Sequence, residues 1–312
     1  MNIWFLLVLF TLGVILVVKG GDIFVDAASA IAKASGVPTF IIGATIVSVA
    51  TTLPELMVSA IAASEGKVEM TIGNAVGSVT ANTGLILAIA MLFMNIKCRR
   101  KEYLRQTVIL IGAALILYVS CRPGYLPPWG AIMLAAVFAL FLYENITSAR
   151  EAPSMRREAR KKGKISAGNI FKFVLGAACI VMGSHILVSS GSELAVYFGI
   201  PERVIALTMI SIGTSLPELV TTITAIVKKE AALSVGNLIG ANILDIALVL
   251  PVCTLITGGH LPISGQMVCW DIPVCLLILG VAFLPMLLRE KASKLQGFAL
   301  LALYAGYIAL IV

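Results

Sequence analysis

Two short stretches place hard oxygen ligands inside runs that otherwise read as greasy helix. Residues 50–56 are ATTLPEL and residues 213–219 are GTSLPEL. Each combines two hydroxyls (Thr51 and Thr52; Thr214 and Ser215), a proline (Pro54; Pro217) and one glutamate (Glu55; Glu218). Proline has no N–H, so in a helix the carbonyls of Ala50 and Gly213 lose their partners, and the helix is expected to break or kink there. Freed backbone oxygens and buried carboxylates are costly in hydrocarbon unless they meet a cation or a proton. An all-oxygen set with two carboxylates suits Ca²⁺, which accepts six to eight irregular oxygens, better than Mg²⁺, which sheds water reluctantly. With no His or Cys in these stretches, zinc and copper are disfavoured.

A second pair of segments carries the next polar groups. GNAVGSVTAN (73–82) and GNLIGANILD (236–245) each open on Gly-Asn and hold a second glycine, which permits close helix approach. Four residues after Ser78 and Ala241 come Asn82 and Asp245, one turn further along the same face. They are expected beside the two glutamates. The third acid has a neutral counterpart, which limits the negative charge: three carboxylates match one Ca²⁺ with one proton, or up to three Na⁺.

The elements that must position these residues are membrane helices. The chain has 312 residues, 59% hydrophobic and 12% charged, with a mean hydropathy of +1.02, well beyond the roughly half-apolar makeup of soluble domains. Ten spans of about twenty residues can be laid down, near 3–31, 38–63, 71–94, 104–121, 128–146, 168–195, 202–227, 232–256, 266–288 and 295–312. The first lacks a basic n-region and stays apolar past a plausible cleavage length, so it reads as a retained helix. The net charge of +7 reflects topology rather than nucleic acid. If the N-terminus faces outside, inner loops hold Lys33, Lys97 to Arg105, the basic run from Arg150 to Lys172, Lys228, Lys229, Arg289, Lys291 and Lys294. Outer loops hold only Lys67, Arg122 and Arg203, so the positive-inside rule gives N-out and C-out.

The chain is also written twice. Gly36 matches Gly199, Pro38 Pro201, Thr51 Thr214, Pro54 Pro217, Glu55 Glu218, Asn74 Asn237 and Gly77 Gly240, every pair 163 positions apart. Chance likeness of two apolar helices would give Leu and Val matches instead. Five spans per half make the second copy upside down relative to the first, the inverted repeat usual in secondary transporters. The fold class expected is an all-α polytopic membrane protein of two inverted five-helix repeats, 1–147 and 168–312. A basic cytoplasmic linker, 148–167, joins them and has too little apolar content to fold alone.

The only Lys or Arg well inside a span is Lys19, for which Asp22, one turn along, is the expected partner. Asp22, Asp26 and Glu193 have no carboxylate 163 residues away and are expected to pair locally or sit near water. His185 and His260 read as packing or loop residues. The six cysteines show no CxxC spacing, which indicates neither a zinc site nor a disulfide framework, and are expected as buried apolar thiols. A membrane-embedded aspartyl protease would need paired aspartates with a GxGD-type motif, and the chain has no such motif. A passive channel would not need two inverted halves with shared acids.

At these residues the sequence resembles the sodium/calcium exchanger branch of the cation/Ca²⁺ antiporter superfamily, whose signatures read GTSLPE and GN..GSN or close variants. Here they stand as ATTLPE with GNAVGSVTAN and GTSLPE with GNLIGANILD, one set in each half. The resemblance implies a ten-helix antiporter of the plasma (inner) membrane, functional as a monomer, with transported ions and no resident cofactor or catalysis. Its Ca²⁺ site would use Glu55 and Glu218 with backbone oxygens at Thr51 and Thr214. Na⁺ sites would draw on Ser48, Thr52 and Ser78 in one half, and Ser211, Ser215 and position 241 in the other. Asn82 and Asp245 would complete the cluster, and the first and sixth helices are expected to slide as a unit across the rest. Ala50 stands for the usual Gly and Thr52 for the usual Ser, both mild departures. Ala241 replaces a Ser that would give a Na⁺ site its hydroxyl, so Ca²⁺/H⁺ or K⁺-coupled exchange stays open beside Na⁺/Ca²⁺ exchange.

Overall fold

The computed structural model describes residues 3–94, 96–97, 100–151, 166–199 and 211–311. The helices follow the apolar runs. Helix α1 is Ile3–Ser35 and α2 runs through Thr39–Ser64. Helix α3 starts as Val68–Ala81 and continues as Asn82–Leu87 and Ala88–Phe93. Then come α4 (Arg100–Ser120), α5 (Pro128–Glu151) and α6 (Ala167–Tyr197). Helix α7 is described from Ser211, as Ser211–Thr214 and Leu216–Lys228. Helix α8 spans Ala231–Ile256, α9 Met267–Arg289 and α10 Lys294–Ile311. Among the described residues, eight helices are long and apolar enough to cross a membrane, and Lys294–Leu310 is a shorter apolar one. The largest shift from the sequence boundaries is at the end of α5, expected at 146 and found at Glu151. Residues 202–210 of the seventh expected span, Cys98, and 152–165 of the linker lie outside the described residues.

Burial sorts the helices into centre and periphery. Helices α3 and α8 are the most buried, 72% and 78% of their span, against 22% for α1 and 28% for α6. Exposed Trp4, Phe93, Met182 and Leu288 are among the large apolar side chains that form an outer belt, as expected of a surface facing lipid rather than water. Two tight contacts hold the centre: a Cβ added at Gly236 or Gly240 of α8 would collide with the carbonyl oxygens of Phe40 or Ala44 in α2. Backbones approach that closely only where side chains are absent.

Helices α1 and α6 pack on each other in the same manner. A Cβ at Gly20 would sit 3.0 Å from the Ile180 nitrogen, and one at Gly176 2.7 Å from the Phe24 nitrogen. Gly13 faces Gly183 and Gly20 faces Gly176, and the four are repeat counterparts crosswise: Gly176 stands 163 residues after Gly13, and Gly183 stands 163 after Gly20. Elsewhere α1 meets α7, where Asp22 and Asp26 flank the Lys228 ammonium at 3.6 and 2.7 Å. The expected Lys19–Asp22 pair is therefore corrected: Asp22 turns to a lysine on another helix, because Lys228, at the end of α7, brings its charge to both acids.

Proline acts differently in the two halves. Helix α7 is interrupted at Ser215, two residues before Pro217, but α2 continues unbroken through Pro54, which lies inside the helical segment Ser48–Ser64. Of the break or kink expected at Pro54, the break does not occur, and an irregularity of α2 lies upstream, as a π-turn over Gly43–Val47. Further π-turns begin at Asn82 and Asp245, at matching points of α3 and α8. Such turns insert a residue into the ladder and re-aim the side chains beside it. Two short bridges tie loops together: Tyr125–Leu126 pairs with Leu261–Pro262, and Lys97 pairs with Lys291.

Candidate functional site: a buried cluster of oxygen ligands

The motif segments of α2, α3, α7 and α8 bring their polar residues into the protein interior. Glu55, Glu218, Asp245 and Asn82 are each 1% exposed. Ser48, Thr51, Thr52, Ser78, Thr214 and Ser215 are buried too. The side chain of Ser211 lies outside the described residues.

These side chains divide into two sets by what they bond. Both carboxylate oxygens of Glu55, Glu218 and Asp245 accept no hydrogen bond from the protein, and neither does Asn82 Oδ1. The hydroxyls of Thr52, Ser78 and Ser215 are likewise unpartnered. A buried polar atom without a partner costs about 1–3 kcal/mol, so this group together would outweigh the ~5–15 kcal/mol stability of a typical domain unless a cation or proton compensates. Glu55 lies within electrostatic reach of both Glu218 and Asp245, and none of the three makes an ion pair with Lys or Arg among the described residues. Also among the described residues, no group of three His, Cys, Asp or Glu is close enough to hold a metal by itself. Hydroxyl, amide and backbone oxygens must therefore supply the rest of any coordination shell, as hard cations accept.

The second set is satisfied, and it crosses between the halves. Thr51 Oγ1 donates to Asn237 Oδ1 and Thr214 Oγ1 to Asn74 Oδ1, both at 3.2 Å. Asn74 Nδ2 in turn donates to Ser59 Oγ at 2.9 Å, and Asn237 Nδ2 to Thr221 Oγ1 at 3.1 Å. The Thr51 and Thr214 hydroxyls thus give their protons across the halves, which ties each motif threonine to the opposite half and leaves its lone pairs and its backbone oxygen to face a cation. Ser48 Oγ donates to the Thr45 carbonyl at 3.0 Å and retains its lone pairs.

Asn242 escapes a reading based on matched pairs, since Val79 stands at its counterpart. Fully buried, it donates from Nδ2 to Thr83 Oγ1 at 2.9 Å and accepts from Asn82 Nδ2 at 3.1 Å. This order fixes the polarity of Asn82, whose oxygen is the atom left over. Asp271 is a second such case. It is 6% exposed inside α9 and accepts a bond from the Tyr307 hydroxyl at 2.9 Å. An acid one turn inside an apolar run was the available signal.

His185 lines a cavity of ≈ 290 Å³ between α6 and the motif segments of α2 and α7, whose wall includes Pro54, Thr214 and Pro217. His260 packs on the Tyr125 ring. Cys121, Cys253 and Cys275 are buried free thiols, but Cys269 is exposed and Cys179 half-buried against Gly20 of α1.

A polytopic helical fold around buried acids with no basic partner among the described residues is the architecture expected of a membrane cation transporter. Comparison with known proteins gives the narrower assignment. The model of the sodium/calcium exchanger protein family matches residues 5–147 and 169–312, and the chain belongs to that family. It is a cation/Ca²⁺ antiporter and a multi-pass protein of the plasma membrane. It is 34% identical to inner membrane protein YrbG of Escherichia coli (strain K12), covering 96% of this chain and 94% of that one. It is 30% identical to sodium/calcium exchanger MaX1 of Methanosarcina acetivorans, covering 96% of each. A solved structure of the sodium-calcium exchanger NCX_Mj superposes with a TM-score of 0.83 at 27% identity, over 98% of this chain and 99% of that one.

Proposed function

We propose that the protein exchanges Na⁺ for Ca²⁺ by alternating access, the two ions competing for Glu55 and Glu218. The observation that carries this reading is the cluster of unpartnered oxygens on Thr52, Glu55, Ser78, Asn82, Ser215, Glu218 and Asp245, contributed by both halves of the chain and without a basic partner. Ionised and empty, that cluster is expensive to carry through a dry barrier; filled by Ca²⁺ or Na⁺, it is less so. If both ions need the two glutamates they exclude each other, and exclusion combined with alternating access gives coupled exchange.

In this reading Ca²⁺ is held by Glu55 and Glu218 with the backbone oxygens of Thr51 and Thr214. Na⁺ is held by Ser48, Thr52 and Ser78 on one side, Ser211 and Ser215 on the other. Asn82 and Asp245 lie between. The chain crosses the membrane ten times, N-out and C-out, as two inverted five-helix repeats joined by the basic linker, and works as a monomer. The cavity beside Thr214 then opens the outer approach, and the α1–α6 pair, close-packed through its glycines, moves as one body across it.

Ala241 favours a second reading. It is fully buried where its repeat counterpart, Ser78, offers a hydroxyl. A Na⁺ site short of one ligand is weaker, and protons could neutralise the acids instead, giving Ca²⁺/H⁺ exchange. The test of the shared site is the form of inhibition: Na⁺ added on the side of Ca²⁺ entry should raise the KM for Ca²⁺ without lowering the maximal rate. A lowered maximal rate at unchanged KM would contradict competition at the glutamates.

A further inference from the structure

The loops between α3 and α4 and between α9 and α10, one from each half, meet where the Ala292 N–H donates to the Ile96 carbonyl at 3.0 Å. That bond makes Lys97 and Lys291 an antiparallel pair of the non-hydrogen-bonded kind, in which opposite side chains leave the same face and stand closest. Like charges directly opposite each other are unfavourable. Arg100, Arg289 and Lys294 flank the pair, and all five side chains are exposed. Among the described residues none of the five makes an ion pair. Their backbone is nevertheless anchored: Ile96 is 1% exposed in the core, and Gln296 bonds the Val281 carbonyl at 2.9 Å.

We propose that this seam binds the headgroup phosphate of an anionic phospholipid. Positive-inside topology alone accounts for basic residues in separate loops, but not for two lysines fixed opposite each other by a backbone bond. A phosphate between them turns the repulsion into two charge-assisted contacts. The amino-termini of α4 and α10 begin beside it and add their positive ends. Exposed Phe93, Leu288 and Leu295, at 73%, 78% and 79%, close the same helix ends on the apolar side and supply a wall for acyl chains. A lipid, rather than a free anion, uses both surfaces. By joining loops of the two halves, it would brace the inner frame of the fold.

The test uses the full chain in a neutral detergent, titrated separately with phosphatidylglycerol, phosphatidylcholine and inorganic phosphate while the unfolding temperature is followed. Phosphatidylglycerol should raise it saturably, and the other two should not. Each lysine near an anionic headgroup contributes about a fivefold gain in affinity, so Lys97→Gln with Lys291→Gln should raise the half-saturating lipid concentration by roughly tenfold or more. Both side chains are exposed, so the variant folds, and Lys67→Gln, at the far end of α2, should titrate like the wild type. An equal response to inorganic phosphate, or a double variant that titrates like the wild type, would overturn the proposal.

Discussion

The Thr51 hydroxyl bonds Asn237 Oδ1 at 3.2 Å, and the repeat counterparts Thr214 and Asn74 make the same bond at the same distance. Each half of the chain therefore positions the motif threonine of the other. The arrangement explains why Asn recurs with LPE, since it spans between the helices in both halves, whereas the glycine beside it is seen to admit a close backbone approach in the second half, at Gly236.

That relation predicts the effect of Asn237→Ala. The substitution removes the acceptor of Thr51 and the donor to Thr221, leaving those hydroxyls only their bonds to the Ser48 and Glu218 carbonyls; two buried hydrogen bonds lost cost about 1–3 kcal/mol. The unfolding temperature should fall by a few degrees and the KM for Ca²⁺ should rise, since Thr51 loses its tether. An unchanged KM in a folded variant would place the Thr51 backbone outside the ion site.

Glu55→Gln and Glu218→Gln should separate stability from transport. Each replaces a buried unpaired carboxylate by a neutral group of the same shape, and removing a desolvated charge is often neutral or stabilising. Both variants should unfold at or above the wild-type temperature and show no Ca²⁺ uptake in reconstituted vesicles. Normal uptake in either one would refute the site.

Ala241→Ser should restore a hydroxyl at the place equivalent to Ser78 and lower the Na⁺ concentration for half-maximal exchange by severalfold. Equal Na⁺ dependence in variant and wild type would remove position 241 from the site.

Gly176→Leu tests the α1–α6 pair. The Phe24 nitrogen and Cα stand 2.7 and 2.8 Å from the place a Cβ would occupy, and both are backbone atoms that cannot step aside. Overpacking costs about 1–3 kcal/mol where the structure can shift and more where it cannot. The variant should lose unfolding temperature and transport together; full activity at wild-type stability would show that α1 and α6 separate freely.

Much of this was legible in the chain because membrane helices advertise themselves. An apolar run must satisfy its own backbone, so spans and their approximate ends follow from hydropathy, as α8 shows, expected at 232–256 and found at Ala231–Ile256. The acids were legible because a carboxylate in such a run demands a reason. What pairs across space was not. Asp22 lies one turn from Lys19, and only the packing of α7 on α1 presents Lys228 instead. Asn242 has Val79 as its counterpart, so a reading based on repeats passes over it, although it sets the polarity of Asn82. Nor does a proline announce whether its helix will bend or part: Pro54 is absorbed within α2, and the helix of Pro217 is interrupted at Ser215. Both outcomes fit the loss of one N–H, and the surrounding packing decides between them.

The most direct test of coupled exchange at the glutamate pair is radiolabelled Ca²⁺ uptake into proteoliposomes loaded with Na⁺ at equal pH inside and out, beside vesicles carrying only a pH gradient. Uptake driven by the outward Na⁺ gradient alone, and lost in Glu218→Gln, is the predicted result. Uptake driven only by the pH gradient would contradict Na⁺ coupling and turn Glu55 and Glu218 into proton carriers.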